Sequence, residues 1–276
     1  MNPPGSAAGG AQPAPLVAVL SPARRVALLL LNALPLAHAA SVVAVVAFPW
    51  ATPGARAAAA LGVLYLLPPL LGGLLFRWAK PAEGRVRVGS RDYFLWWALL
   101  NLQVIFGRLA FLEELLRLVP GLYSGWLRLW GARIGRLTYW GAGATILDRS
   151  FLDVGDDVVF GAGVRIAPHL HARNRHGEPV LLLGTVRIGD RAEIGGYSLL
   201  AAGARIADDE VTGACLIAPP FSRLRGGRRR GGEPAREAGA APSPGDRRGS
   251  GGAEAPGGVA AQGAVGEPVG DAERGP

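Results

Sequence analysis

Between residues 134 and 207 a bulky apolar residue returns every six positions, a spacing that few folds accept. Ile134, Trp140 and Ile146 lie six apart; after a slip of two come Val154, Phe160 and Ile166; after a gap of 22, Ile188, Ile194, Leu200 and Ile206 restore the beat. Nine of these ten residues are followed by Gly or Ala, Ile146 being the exception, so the small residue belongs to the pattern. An amphipathic helix would repeat at about 3.6 residues and would not tolerate glycine at this density. Ordinary strands alternate with a period of about two. A short strand plus a tight corner, three such units to a turn, meets the spacing: the bulky residue points into the coil and the small one turns the corner. The beat predicts a solenoid of about four coils over 131–221, interrupted by an excursion over 167–187 that is read as a loop.

The chain before the solenoid has a different character. Val26 to Phe48 and Ala57 to Phe76 give 23 and 20 residues without a formally charged side chain, each long enough to cross roughly 30 Å of hydrocarbon as a helix. Pro49, Pro53 and Gly54 suit a hairpin between them, and Pro68-Pro69 should kink the second. Arg24 and Arg25 precede the first run, only Arg56 lies between the two, and Arg77, Lys80, Arg85, Arg87 and Arg91 follow. The positive-inside rule then places both ends in the cytoplasm and Thr52 on the far side. A cleaved signal peptide ending near Ala37-His38-Ala39 competes with this reading, but the apolar run continues to Phe48 and a second one follows.

Charge agrees with this division. Of the net +8, residues 1–91 carry eight basic against one acidic side chain, 92–221 twelve against thirteen, and 222–276 nine against seven. A nucleic-acid binder would concentrate positive charge on its folded module, so no nucleic-acid partner is expected. One cysteine, Cys215, excludes an intrachain disulfide and a cysteine-based zinc cluster. Only Lys80 among 29 basic residues is lysine, and Gly and Pro are abundant, which fits a GC-rich bacterial genome. The expected organisation is a flexible segment over 1–23, a two-span hairpin over 24–91, an interfacial helical connector over 92–130, the solenoid, and a disordered Gly/Ala/Pro/Arg-rich tail over 222–276. Residues 92–119 read as one helix, with Trp96-Trp97 at the interface and Glu113, Glu114 and Arg117 arguing against a third crossing.

The units IGRLTY, WGAGAT, VGDDVV, FGAGVR, IGDRAE, IGGYSL and LAAGAR resemble the hexapeptide repeats of the left-handed parallel β-helix acyltransferases. The layout is also similar to membrane-tethered members of that superfamily, akin to the C-terminal regions of some nonribosomal-peptide-synthetase-like proteins. The resemblance covers about 80 of 276 residues. It implies an all-β left-handed parallel β-helix, here preceded by an α-helical membrane hairpin and an interfacial helix. It further implies acetyl-CoA or another acyl-CoA as co-substrate and a homotrimer; no metal is expected, on the histidine spacing considered below. The expected activity is acyl transfer to a hydroxyl or amine of a lipid-linked, envelope or secondary-metabolite acceptor, at the cytoplasmic side of a bacterial inner membrane with membrane lipid as partner. A non-catalytic scaffold that docks a partner enzyme is the alternative, kept open by the irregular join at Leu147–Asp153.

Three of the four histidines, His169, His171 and His176, fall in the excursion. In the resembled enzymes a histidine near the expelled loop takes the proton from the acceptor as it attacks the thioester, and a neutral imidazole with pKa near about 6.5 suits that role. His169, three residues after Ile166, matches the family's I-x-x-H-[LV] pattern and is the first choice for the base, with His171 second. His171 and His176 are spaced H-x4-H, but a catalytic zinc needs a third protein ligand and residues 134–168 contain no histidine. Asp156, Asp157 and Asp190 follow glycines and read as turn residues, whereas Asp148 replaces a small corner residue where the register slips and is left unassigned. Asn174 and Glu178 could orient an acceptor, Ser198 should turn inward, and His38 should face other helices.

Overall fold

Apolar runs with no internal charge become helices, and the prolines decide where they break. A computed structural model describes residues 20–225. α1 (Pro22–Asn32) and α2 (Leu34–Ala47) form one helical length of 26 residues, and α3 (Pro53–Tyr65) and α4 (Leu67–Trp78) form another. Both are long and apolar enough to cross a membrane. The second breaks at Leu66, immediately before Pro68 and Pro69, which lack the N–H that would continue the ladder. Leu29, Leu30, Val43, Leu61, Leu70 and Leu74 stand exposed along these helices, the surface that a lipid environment would cover. Residues 1–19 and 226–276, which include most of the expected flexible lead-in and nearly all of the expected tail, lie outside the described residues; Pro22 and Ala23, expected in the lead-in, instead begin α1.

The linker after α4 contributes a strand, β1 (Gly84–Arg87), and Ser90 then caps α5 (Arg91–Arg108) by accepting from the Tyr93 N–H at 3.3 Å. The single helix expected over 92–119 is two helices: α6 (Phe111–Arg117) leaves α5 at 81°. The bend turns Glu113 into the interior, where it is 4% exposed, while Phe111, Leu115 and Leu118 stay outside. α7 (Leu122–Leu129) follows the Pro120-Gly121 break and leads into the coil. Gly73 of α4 lies so close to the end of α7 that a Cβ there would overlap the Leu129 carbonyl oxygen.

The six-residue beat then runs as expected through β2 (Arg133–Ile134), β3 (Tyr139–Trp140), β4 (Thr145–Ile146), β5 (Leu152–Val154), β6 (Val159–Phe160) and β7 (Arg165–Ala167). The excursion is not a loop. It folds as an antiparallel hairpin, β8 (His169–Arg173) and β9 (Pro179–Leu183), and β1 pairs with the free edge of β9. A run of alternating burial, with Pro179, Leu181 and Leu183 inside, explains why this segment is a strand. The coil resumes with β10 (Val186–Ile188), β11 (Glu193–Ile194), β12 (Leu199–Ala201), β13 (Arg205–Ile206) and β14 (Ile217–Ala218). It extends past residue 221, because β15 (Arg223–Leu224) stacks on β13.

Successive coil strands fall in rotation on three parallel sheets, ordered β2-β5-β10-β13-β15, β3-β6-β11 and β4-β7-β12-β14. The beat residues therefore stack in columns: Ile134, Val154, Ile188 and Ile206 in one, Trp140, Phe160 and Ile194 in the next. The Trp140 and Phe160 rings are parallel within 6° at 4.5 Å between centroids. All ten beat residues are at most 9% exposed. At one corner the carboxylates form a ladder: Asp156, Asp190 and Asp208 accept from the backbone N–H of Arg136, Asp156 and Asp190 at 2.6, 2.9 and 3.0 Å. Asp156 and Asp190 are thus turn residues, as is Asp157, whose φ of 58° closes the corner.

Glu83, just before β1, ties the linker to the coil. Its carboxylate accepts from Lys80 Nζ at 2.9 Å, from Thr185 N at 3.0 Å and from Thr185 Oγ1 at 2.8 Å. Burial alone would raise its pKa, but these bonds from Lys80 and Thr185 outweigh burial and hold it at about 2.

Three substitutions probe the coil and its tie to the linker. Ile194→Asp places a carboxylate inside the coil, where desolvation costs several kcal/mol, and should lower the melting midpoint sharply; Glu193→Asp, on the outward side, should be nearly silent. Equal tolerance would refute the register. Glu83→Gln should also lower the melting midpoint at neutral pH. The group's pKa is depressed on folding, so its contribution is complete above the ordinary 4.5 and lost as pH falls toward 2. The gap between variant and native protein should close over that interval, and a gap independent of pH would contradict the assignment.

Candidate active site

β7 ends at Ala167, Pro168 turns the chain out of the coil, and β8 begins at His169. The Pro168 carbonyl accepts from Gly184 N at 3.0 Å, which closes the base of the hairpin beside the imidazole. His169 and His171 are two apart on one strand, so both rings lie on the same face. That face meets α5. The Trp96 ring stands edge-on to His169 at 4.8 Å and to His171 at 5.6 Å between centroids.

The register slip supplies the partner. Five residues, 147–151, separate β4 from β5, and among them Asp148 and Arg149 turn away from the coil into the helix layer. Asp148 is 1% exposed, and its Oδ2 lies 2.5 Å from Nδ1 of His169. Its Oδ1 accepts from Trp96 Nε1 at 2.9 Å. An ionised Asp148 accepts both bonds, which places the proton on Nδ1 and leaves the lone pair of His169 on Nε2. The His169 side chain retains 16% exposure.

Arg149 is anchored more deeply. Its guanidinium bonds Glu113 and donates to Gln103 Oε1 at 2.9 Å, while its backbone N–H donates to the same oxygen at 3.0 Å. Glu113 also accepts from Tyr123 OH at 2.5 Å and from Arg117 Nη2 at 3.2 Å. Burial, reinforced by the Glu113 charge, pushes the Tyr123 phenol well above its ordinary value, so it serves as a permanent donor.

The remaining expected residues lie elsewhere or act structurally. His171 has no bond to Asp148; burial, and secondarily His169, lower its pKa, so it is neutral at pH 7. Asn174 Oδ1 accepts from the N–H groups of His176 and Glu178, both at 2.9 Å, and its Nδ2 donates to Glu178 at 2.7 Å. These three residues shape the hairpin tip, and His176 is exposed there. Ser198 is fully buried and donates to the Gly195 carbonyl at 2.6 Å. His38 Nε2 sits 3.1 Å from the Val63 carbonyl, between the apolar helices. Among the described residues no three His, Cys, Asp or Glu side chains converge as metal ligands. A groove of about 780 Å³ runs along the β2-β5-β10-β13 face, with Arg133, Arg187 and Arg205 among its walls; His169 does not line it.

The sequence made His169 a candidate and left Asp148 unassigned, and it gave no contact for Trp96 or Glu113. An Asp at a corner that elsewhere holds Gly or Ala, inside a register slip, was the available signal for Asp148. No periodicity marks Trp96 as a partner of a residue 52 positions away.

No family model matches this chain, and no curated protein matches it. Among solved structures it is similar to a maltose O-acetyltransferase from Clostridium difficile 630, at 20% identity over 44% of this chain and 82% of that one, with a TM-score of 0.34. A galactoside acetyltransferase in complex with coenzyme A matches at 16% identity, 43% and 75% coverage and a TM-score of 0.29. A hexapeptide-repeat-containing acetyltransferase from Vibrio cholerae matches at 13% identity, 49% and 87% coverage and a TM-score of 0.29.

Proposed function

We propose that this chain is a membrane-anchored, acyl-CoA-dependent acyltransferase in which His169 is the general base and Asp148 orients it. The observation that carries the reading is the buried carboxylate 2.5 Å from the imidazole at the edge of the coil. In this reading an acceptor hydroxyl or amine attacks the thioester carbonyl while Nε2 of His169 takes its proton. The new C–O or C–N bond forms, the C–S bond breaks, and the departing thiolate takes the proton back from the imidazolium. Asp148 keeps the imidazole in the required tautomer and stabilises the positive charge that forms. Acetyl from acetyl-CoA is the favoured group. The apolar helices before the coil support an acceptor that is lipid-linked or belongs to the cell envelope, met at the cytoplasmic face of a bacterial inner membrane.

His169→Ala should leave the coil folded but lower its melting midpoint, because the buried Asp148 carboxylate loses one of its two side-chain donors. Acetyl-CoA consumption should fall by roughly 10²–10⁴, with acetyl-CoA affinity retained. The pH dependence that a titrating base confers on the native rate should vanish in the variant. His171→Ala and His176→Ala should each cost much less. Unchanged turnover in His169→Ala would eliminate the assignment, and absence of acetyl-CoA binding by the native protein would favour a docking scaffold.

A further inference from the structure

We infer that Trp96, on a helix outside the coil, is a positioning residue that fixes the Asp148 carboxylate and through it the tautomer of His169; its catalytic meaning rests on the acyl-transfer reading above. The carboxylate is buried, so each of its oxygens has to be met by a donor. Oδ2 is met by His169 and Oδ1 by the indole N–H at 2.9 Å. Among the described hydrogen bonds these two fix the carboxylate against rotation about its terminal torsion, which is intrinsically soft. Such rotation would break the alignment of Oδ2 with Nδ1. An indole N–H is well suited to this role, because it only donates, never titrates, and excludes the water that would otherwise take its place.

Trp96 is itself immobilised. It is fully buried, and Tyr93, Trp97, His169 and His171 surround its ring at 4.8–5.6 Å between centroids. α5 is held on its other side by Trp97 Nε1, which donates to Asn32 Oδ1 at 2.8 Å. Seven residues on, and so on the same helical face, Gln103 receives Arg149. One face of α5 therefore grips two consecutive residues of the coil, Asp148 by Trp96 and Arg149 by Gln103. The indole ring packs edge-on against His169, but its hydrogen bond goes to the carboxylate, so its effect on the tautomer passes through Asp148.

The test uses the full-length protein in lipid nanodiscs. Trp96→Phe removes the N–H and part of the ring. β-(3-benzothienyl)alanine introduced at position 96 replaces the N–H by sulfur and keeps the shape, so that a folding defect in the first variant leaves the second informative. Histidine ¹⁵N spectra at alkaline pH should show His169 as the Nδ1–H tautomer in the native protein and a substantial Nε2–H population in the benzothienyl variant. An unchanged tautomer there overturns the inference, whatever the protein's activity. In the acetyl-CoA assay the same variant should lose about tenfold in kcat with KM within about twofold of native, the pattern of a group whose effect is confined to the reacting state. Full kcat in that variant, beside a disabled His169→Ala, overturns the positioning role alone. Undiminished turnover in His169→Ala overturns the acyl-transfer reading and leaves the tautomer measurement to decide what Trp96 does.

Discussion

A guanidinium at 2% exposure must be met by a carboxylate, and the contact between Arg149 and Glu113 is the buried ion pair through which the helices hold the coil. Removing one member of such a buried pair costs roughly 3–5 kcal/mol, because the other is left charged and unpaired. Here the pair is embedded further. Glu113 accepts from Tyr123 and Arg117, and the Arg149 guanidinium lies over the rings of Trp126 and Phe106 at 5.6 and 5.8 Å. These partners come from α5, α6 and α7 as well as from the coil. The orientation of the coil against the helices is therefore set by charge pairing as well as by apolar packing.

The same constraint produces the candidate site. For Arg149 to leave the coil the hexapeptide register must slip, and the residue that leaves with it is Asp148. Two neighbouring side chains thus serve different purposes: one holds the coil to the helices and the other reaches the imidazole at the base of the hairpin. A regular coil in this place would have a small corner residue and no carboxylate near His169. The site consequently draws on three parts of the chain, the join between coils, the hairpin and α5.

The coil was legible because its signal is local and repeated: ten bulky residues at fixed spacing specify the inward columns from Ile134 to Ile206. The apolar helices and the break before Pro68 were legible for the same reason. The excursion was misread as a loop because its strand pattern over 179–183 is short, and because its partner, β1, comes from the linker almost a hundred residues earlier. Glu113 and Glu114 gave only the inference that α6 is not a membrane crossing; that Glu113 faces inward depends on Arg149, 36 residues away. His169 became a candidate through its position in the repeat and the resemblance it matches, whereas Asp148 and Trp96 acquire their meaning only from contacts that no spacing records.

In the proposed reading the buried carboxylate that the register slip turns toward the hairpin is what makes His169 a base, and on this the proposed chemistry stands or falls. The most direct measurement is the turnover of acetyl-CoA by Asp148→Asn, a change that keeps the shape and removes the charge. The expected result is a loss of roughly one to two orders of magnitude in kcat, with the coil folded and acetyl-CoA still held, because an amide neither enforces the Nδ1–H tautomer nor stabilises the imidazolium. Native turnover in that variant would contradict it.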